Sequence, residues 1–334
     1  MKLLYIFRKR NSGFSIEGVF SRLAERIADS PRYEVTSVYA PHMTLRLWGL
    51  WQNLRFARRL RADIYHITGD VHYLMLLLPP KQTVLTIHDC VSLERQLAAG
   101  NQVRFRLLWL LFYYLPMRRA IYITTVSEKS KQELERFMGI KLARKVRVVP
   151  NYVNPNFTAK PIQFNIANPR LLQIGTSHNK NLHRLIDALQ GLSYTLVVVG
   201  RVNEGLQQYI SQSGIQYELH ENLTDTQLIA QYEQCDLVAF VSVYEGFGLP
   251  IVEANAIGRP VITSDLTPMN RVANEAACLV DPYSVDAIRT GLERLFTDDT
   301  YRRQLIEAGY RNAAQYSIDT VAAQYDAIYQ EILR

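Results

Sequence analysis

The stretch from Leu237 to Thr263 constrains the fold of this chain more than any other. It opens on five apolar residues, Leu-Val-Ala-Phe-Val, passes through a polar, glycine-broken turn from Ser242 to Gly248, and enters a nearly apolar segment that ends at Gly258. A second short apolar run, Val261-Ile-Thr263, follows at once. An apolar run without alternation suits a strand buried on both faces, the mark of a parallel sheet. Pro250 fits the first turn of a helix and Gly258 the residue just past its end. The stretch therefore predicts strand, turn, short helix and strand, the unit from which doubly wound sheets are built. The N–H groups that such a helix leaves unpaired would lie at the carboxyl end of the sheet, where an anion is favoured.

The same alternation recurs along the chain. Strands are predicted at Lys2 to Phe7, Tyr33 to Tyr39, Ile64 to Ile67, Thr83 to His88, Ile121 to Val126 and Val146 to Val149, with helical stretches between them. A second set is predicted at Leu171 to Gly175, Thr195 to Gly200, Ile215 to Leu219, Leu237 to Val241, Val261 to Thr263 and Cys278 to Val280. Between the sets, the polar stretch from Val149 to Arg170, punctuated by Pro150 and Pro155, reads as an interdomain linker. A length of 334 residues with 48% hydrophobic content supports two cores, one for each set.

Several function classes lose their support. The first strand leads into a loop holding one glycine, Gly13, and no Gly-x-Gly-x-x-Gly or Gly-x4-Gly-Lys-Ser/Thr run occurs. The longest apolar run, Leu107 to Met117, is too short to span a bilayer, and the start has too short an apolar run to be a signal peptide. Cys90, Cys235 and Cys278 lie far apart and are odd in number, which points to a reducing, cytoplasmic compartment. The net charge of +7 divides into +14 for residues 1–150 and −7 for the rest. Basic and aromatic residues cluster in Leu45 to Arg61 (Arg46, Trp48, Trp51, Arg55, Arg58, Arg59) and in Arg104 to Arg119. Such helices can lie on an anionic membrane, or they can bury the aromatics and solvate the arginines; a nucleic-acid surface is the weakest of the three readings.

Two carboxylates frame the central turn, Glu245 before its glycines and Glu253 inside the apolar helix. On a plain reading Glu253 complements the helix dipole and Glu245 is a solvated loop residue. Yet a carboxylate on so apolar a helix needs donors. The whole arrangement resembles the Glu-x7-Glu element of the retaining glycosyltransferases of family 4, with Glu-Gly-Phe-Gly-Leu-Pro before the second Glu and Gly-Arg-Pro-Val after it. By that resemblance Glu245 contacts the donor sugar and Glu253 the ribose hydroxyls of the nucleotide. Gly246, Phe247, Gly248 and Leu249 would line the donor site.

The resemblance extends to other stretches. Gly175-Thr176-Ser-His-Asn-Lys180-Asn181 follows a strand, and in the family a Lys here grips the donor pyrophosphate, often with an Arg just after the glycine. This chain has Thr176 in that place, so Arg201 or a first-domain arginine would have to substitute. Gly175, Thr176 and Asn181 are implied as donor-binding residues and Gly13 as a glycine facing the phosphates or the acceptor. His88, at the end of a strand, reads from the residues alone as a core histidine bonded through Asp89; by the resemblance it matches a family histidine that contacts the donor sugar near the reacting carbon. The loop from His66 to Tyr73 is a candidate acceptor contact, and its histidines lack the spacing of a zinc pair. Ser127 reads first as a helix N-cap.

The resemblance implies an α/β chain of the GT-B fold, two Rossmann-like doubly wound domains facing a central cleft. Residues 1–158 would form the acceptor domain, with a crossing helix at 317–334, and residues 165–316 the donor domain. It implies an enzyme of bacterial cell-surface polysaccharide synthesis that transfers sugar from a nucleotide-diphosphate sugar to a saccharide or lipid-linked acceptor, with retention. Catalytic roles would fall to Glu245, Lys180 and His88. No cofactor is expected, and no metal, since no Asp-x-Asp occurs. An epimerase or hydrolase of the same fold, or a non-catalytic nucleotide-sugar-binding protein, are the alternatives; peripheral contact with an anionic membrane is expected, nucleic acid is not.

Overall fold

The computed structural model describes residues 1–9, 14–42 and 47–334, with residues 14–16 and 47 as backbone only. Gly13 and Arg46 lie outside the described residues. The chain divides into two units, Met1–Tyr152 with Ile318–Arg334, and Val153–Ser317.

The first unit runs β1 (Lys2–Phe7), α1 (Phe14–Ala28), β2 (Glu34–Tyr39), α2 (Leu47–Ala57), β3 (Ile64–Ile67), β4 (Thr83–Thr86), α3 (Val91–Ala98) and α4 (Gln102–Leu108). A π-helical segment, Trp109–Tyr114, continues α4 into α5 (Leu115–Arg119). Then come β5 (Tyr122–Thr125), α6 (Glu128–Met138), α7 (Ile140–Ala143) and β6 (Val146–Val148). The sheet order is β2-β1-β3-β4-β5-β6, with every pairing parallel. Because Cβ atoms alternate across a strand, β1 sends Leu4 and Ile6 to one face and Leu3, Tyr5 and Phe7 to the other, and both faces are buried.

The second unit runs β7 (Arg170–Ile174), α8 (Leu182–Leu189), β8 (Thr195–Val199), α9 (Glu204–Gln212), β9 (Tyr217–His220) and α10 (Asp225–Gln234). It continues through β10 (Leu237–Phe240), α11 (Leu249–Ile257), β11 (Val261–Ser264), α12 (Met269–Ala273), β12 (Cys278–Val280), α13 (Val285–Thr297) and α14 (Asp299–Gln315). Its sheet, also parallel throughout, has the order β12-β11-β10-β7-β8-β9. The first strand thus lies mid-sheet with later strands on both sides, so the winding reverses between β7 and β10. Such a switch point opens a crevice outside the carboxyl ends of the strands.

The last helix, α15 (Ile318–Ile332), packs in the first unit against α1. Val321, Tyr325, Ile328 and Tyr329 join the core of that face. The Tyr329 hydroxyl lies 2.9 Å from that of Tyr5 and 2.7 Å from His66 Nδ1, and Arg147 forks onto Glu331 with two bonds of 2.7 Å. The stretch read as a linker contains the boundary between the units, and its backbone is bonded: Val153 donates to the Tyr316 carbonyl and Lys160 to that of Ile257, both in the second unit. Its lack of periodicity reflects irregular backbone satisfied by partners distant in sequence.

Candidate functional site

Because β7 and β10 are neighbours, the loops leaving their carboxyl ends run side by side. Asn179 ties them together: its carbonyl accepts from Val243 N at 2.8 Å, and its side-chain amide donates to the Tyr244 carbonyl at 2.9 Å. Lys180 Nζ donates to Glu245 Oε1 at 2.7 Å, with the side chains only 18% and 14% exposed. The ammonium also sits 4.7 Å from the centre of the Phe240 ring, a favourable place for a cation. Neither side chain is solvated, which removes the plain reading of Glu245.

Gly175 makes that placement possible. Its φ is +87°, and a Cβ there would lie 2.7 Å from Lys180 Cε. Only glycine combines that backbone with so close a neighbour. Thr176 and Asn181 are committed locally. Thr176 Oγ1 donates to the Arg201 carbonyl. Asn181, left-handed at φ 60°, donates to the carbonyls of Val241 (3.0 Å) and Pro282 (2.7 Å) and accepts from Arg184. Its side chain holds the loop in shape. Arg201 follows β8 and is exposed.

On the neighbouring loop, Phe247 is buried against Tyr316, and Gly248 takes the left-handed region at φ 112° to start α11. No side chain caps that helix, Leu249 opens it and Pro250 lies in its first turn. Pro250 has no N–H and Ile251 N donates to the Gly248 carbonyl at 3.1 Å, so Leu249 carries the N–H left at the start of the helix, while Gly258 closes the other end at φ 86°. Glu253, half-buried on α11, accepts a 2.6 Å bond from the hydroxyl of Tyr232 on α10. Burial, and then the adjacent carboxylate, push that hydroxyl well above its ordinary pKa. The donor that the apolar helix demanded is thus a tyrosine 21 residues upstream. Nothing in the local sequence of α10 marks it, nor does any motif mark Asn179 beyond its place before Lys180.

A second group of titratable side chains lies at the carboxyl end of the first sheet. β4 ends at Thr86, two residues short of His88. His88 is buried and donates from Nε2 to the Thr68 carbonyl at 2.9 Å, so its partner is Thr68 rather than Asp89. Asp89 instead accepts from Val91 N, and burial raises its carboxyl while it lowers the His88 imidazole. Arg8 and Asp70 pair at 2.7 Å. His72, buried and donating from Nδ1 to the Phe112 carbonyl, is lowered by desolvation to about 4. His66, between Tyr329 and Thr86, is lowered to about 3 for the same reason. Ser127 caps α6, accepting from Ser130 N, whose own hydroxyl donates to the His88 carbonyl.

Chemically, the second unit offers one ammonium, an uncapped helix N-terminus and two carboxylates around a glycine turn. The ammonium and the N–H groups suit a phosphate-bearing ligand and the carboxylates its hydroxyls. Among the described residues no group of three or more His, Cys, Asp or Glu is placed to hold a metal ion. No helix of the described residues is long and apolar enough to cross a membrane. The basic-aromatic stretches divide: Trp48 and Trp51 on α2 are 63% and 52% exposed, whereas Phe112, Tyr113 and Met117 are core.

Comparison with known proteins agrees with this architecture. Of the solved structures, sucrose-phosphate synthase from Thermosynechococcus elongatus aligns over 100% of this chain and 99% of its own, with a TM-score of 0.80 at 16% identity. Anabaena HepE, solved with UDP-glucose, aligns over 99% of both chains with a TM-score of 0.76 at 18% identity. These likenesses show the GT-B fold. Among curated proteins, the serotype-specific mannosyltransferase WbdA of Escherichia coli is 26% identical over 264 residues, 71% of this chain. The chain spans about a third of that relative's length, 32%. The family described as Glycosyltransferase Family 4 matches residues 15–157, and that described as Glycosyl transferases group 1 matches residues 161–312. Together they account for both units, with the Lys180–Glu245 pair and Glu253 inside the second match, and the chain belongs to the family 4 glycosyltransferases of group 1.

Proposed function

We propose that this chain is a retaining, metal-independent glycosyltransferase that moves a sugar from a nucleotide-diphosphate sugar to a saccharide or lipid-linked acceptor in bacterial cell-surface polysaccharide synthesis. The observation that carries the reading is the Lys180–Glu245 pair at the switch point of the second sheet, beside the uncapped start of α11 and Glu253. In this reading Lys180 and the amides of Gly246 to Gly248 meet the charge that develops on the leaving nucleotide, without a metal bridge. Donor binding draws Lys180 from Glu245 to the pyrophosphate, and Glu245 takes the sugar hydroxyls. Glu253 holds the ribose. The second unit carries the donor and the first the acceptor, and His88 keeps the role that the resemblance gives it, on the donor sugar near the reacting carbon. The absence of an Asp-x-Asp supports the metal-free step. Three unpaired, buried cysteines favour a cytoplasmic location. The +14 charge of residues 1–150 and the exposed tryptophans of α2 favour contact with an anionic membrane surface.

The test is product analysis with a panel of UDP- and GDP-linked sugars, mannosyl and glucosyl donors first, given a saccharide or lipid-linked acceptor in excess EDTA. The proposal expects a new glycoside whose anomeric configuration matches the donor. An epimerised or hydrolysed donor without transfer would contradict it, as would transfer that disappears in EDTA and returns with magnesium or manganese.

A further inference from the structure

Tyr232 is a fully buried residue of α10, its ring set edge-on to Phe157 with centroids 5.1 Å apart. Phenylalanine would fill that space equally, so the hydroxyl must answer to something else. Among the described residues its hydrogen-bond partner is Oε2 of Glu253, 2.6 Å away. A carboxylate can only accept, so the proton lies between them with its direction fixed. Glu253 has three side-chain torsions, projects from a helix whose other residues are apolar except Asn255, and would surrender that freedom each time it gripped a ligand. A donor anchored in the core removes that freedom beforehand and fixes the plane of the carboxylate. This is the preorganisation that lets two hydroxyls be read together.

We infer that Tyr232 is a positioning residue that presents the Glu253 carboxylate to the ribose of the donor, so that discrimination for a ribonucleotide over one lacking the 2′- and 3′-hydroxyls depends on the Tyr232 hydroxyl. The inference rests on the proposed role of Glu253. Tyr232 itself touches no ligand; its effect passes through one oxygen of its neighbour. Replacing it with phenylalanine keeps the packing and removes only the fixed donor. The plane of the Glu253 carboxylate is then less closely fixed, and ribose recognition weakens while the phosphate contacts stay.

The experiment measures dissociation constants by calorimetry for UDP against 2′,3′-dideoxy-UDP, with GDP and 2′,3′-dideoxy-GDP in parallel, on the wild type, Tyr232→Phe, Glu253→Ala and the double variant. The wild type should bind one ribonucleotide at least about tenfold more tightly than its dideoxy counterpart, the effect of a hydrogen bond to a charged group. Glu253→Ala should abolish that ratio. Tyr232→Phe should lower it severalfold while leaving dideoxynucleotide affinity unchanged, and should add nothing in the Glu253→Ala background. A merely structural role would weaken both nucleotides alike. If Tyr232→Phe keeps the wild-type ratio while Glu253→Ala loses it, the inference about Tyr232 is wrong and the reading of Glu253 stands. A wild type that does not distinguish the two sugars overturns both.

Discussion

Lys180 Nζ and Glu245 Oε1, 65 residues apart in sequence, meet at 2.7 Å because β7 and β10 are adjacent in the sheet. With both side chains largely withdrawn from water, each is the other's main compensation for that loss. Lys180→Ala and Glu245→Ala should each lower unfolding free energy, by about 1 to 3 kcal/mol, the cost of leaving a largely buried partner unsatisfied. The double variant should be less destabilised than the sum of the two. Urea denaturation of all four proteins measures this, and strict additivity would mean the pair contributes no coupling.

Gly175 separates backbone strain from steric conflict when set beside Gly191. Both have positive φ, +87° and +77°, but a Cβ at Gly191 meets nothing within 4 Å whereas one at Gly175 runs into Lys180. Each alanine substitution should cost roughly 1 to 3 kcal/mol from the left-handed backbone. Only Gly175→Ala should also depress transfer, because Lys180 must move. Equal activity in the two variants would remove Gly175 from the site.

The buried histidines of the first unit predict a loss of stability in mild acid. His66 and His72 fall to about 3 and about 4 when folded, below their ordinary value near 6.5, so between those limits the unfolded chain binds more protons. Stability is therefore fully present above pH 6.5 and falls as pH drops towards the folded values. At pH 5 the loss is about 2 kcal/mol for each histidine. His88 is lowered as well and adds to this; Asp89, raised by burial, acts in the opposite sense. Denaturation midpoints at pH 7.5 and 5.0 test the prediction, and an unchanged midpoint would contradict it.

Membrane contact is checked by liposome flotation. Trp48 and Trp51 stand exposed, with Arg55 5.4 Å from the Trp51 ring. Binding to vesicles containing anionic lipid should weaken with salt, because surface charge is screened. Replacing both tryptophans with alanine and reversing Arg58, Arg59 and Arg61 should abolish it. Binding that survives these changes would mean α2 and the adjoining arginines are not the contact.

Much of this fold is legible in the sequence. Strands buried on both faces appear as unbroken apolar runs, and every predicted strand is found within a residue or two of its limits. Short-range chemistry is equally plain: Ser127 caps α6 and Gly258 ends α11, as their places in the sequence imply. What cannot be read is strand order, and with it every partnership that order creates. The Lys180–Glu245 pair, the bridging role of Asn179 and the bond from Tyr232 to Glu253 all join segments whose adjacency no local pattern encodes. The bonds from the Asn181 amide to backbone carbonyls at 241 and 282 belong to the same kind, since a polar residue beside a candidate lysine gives no local sign of them.

In the proposed reaction the second unit binds the nucleotide sugar through Glu253 and stabilises the leaving nucleotide through Lys180. Steady-state kinetics with donor varied, on folded wild type, Glu253→Ala and Lys180→Ala, test this directly. Ribose contacts change little during reaction, so Glu253→Ala should raise donor KM about tenfold to a hundredfold with kcat nearly kept. Lys180 meets charge that grows as the bond breaks, so Lys180→Ala should lower kcat by about 100-fold to 1,000-fold. Near wild-type kinetics in both variants under limiting donor would contradict the account, leaving both residues with structural roles only.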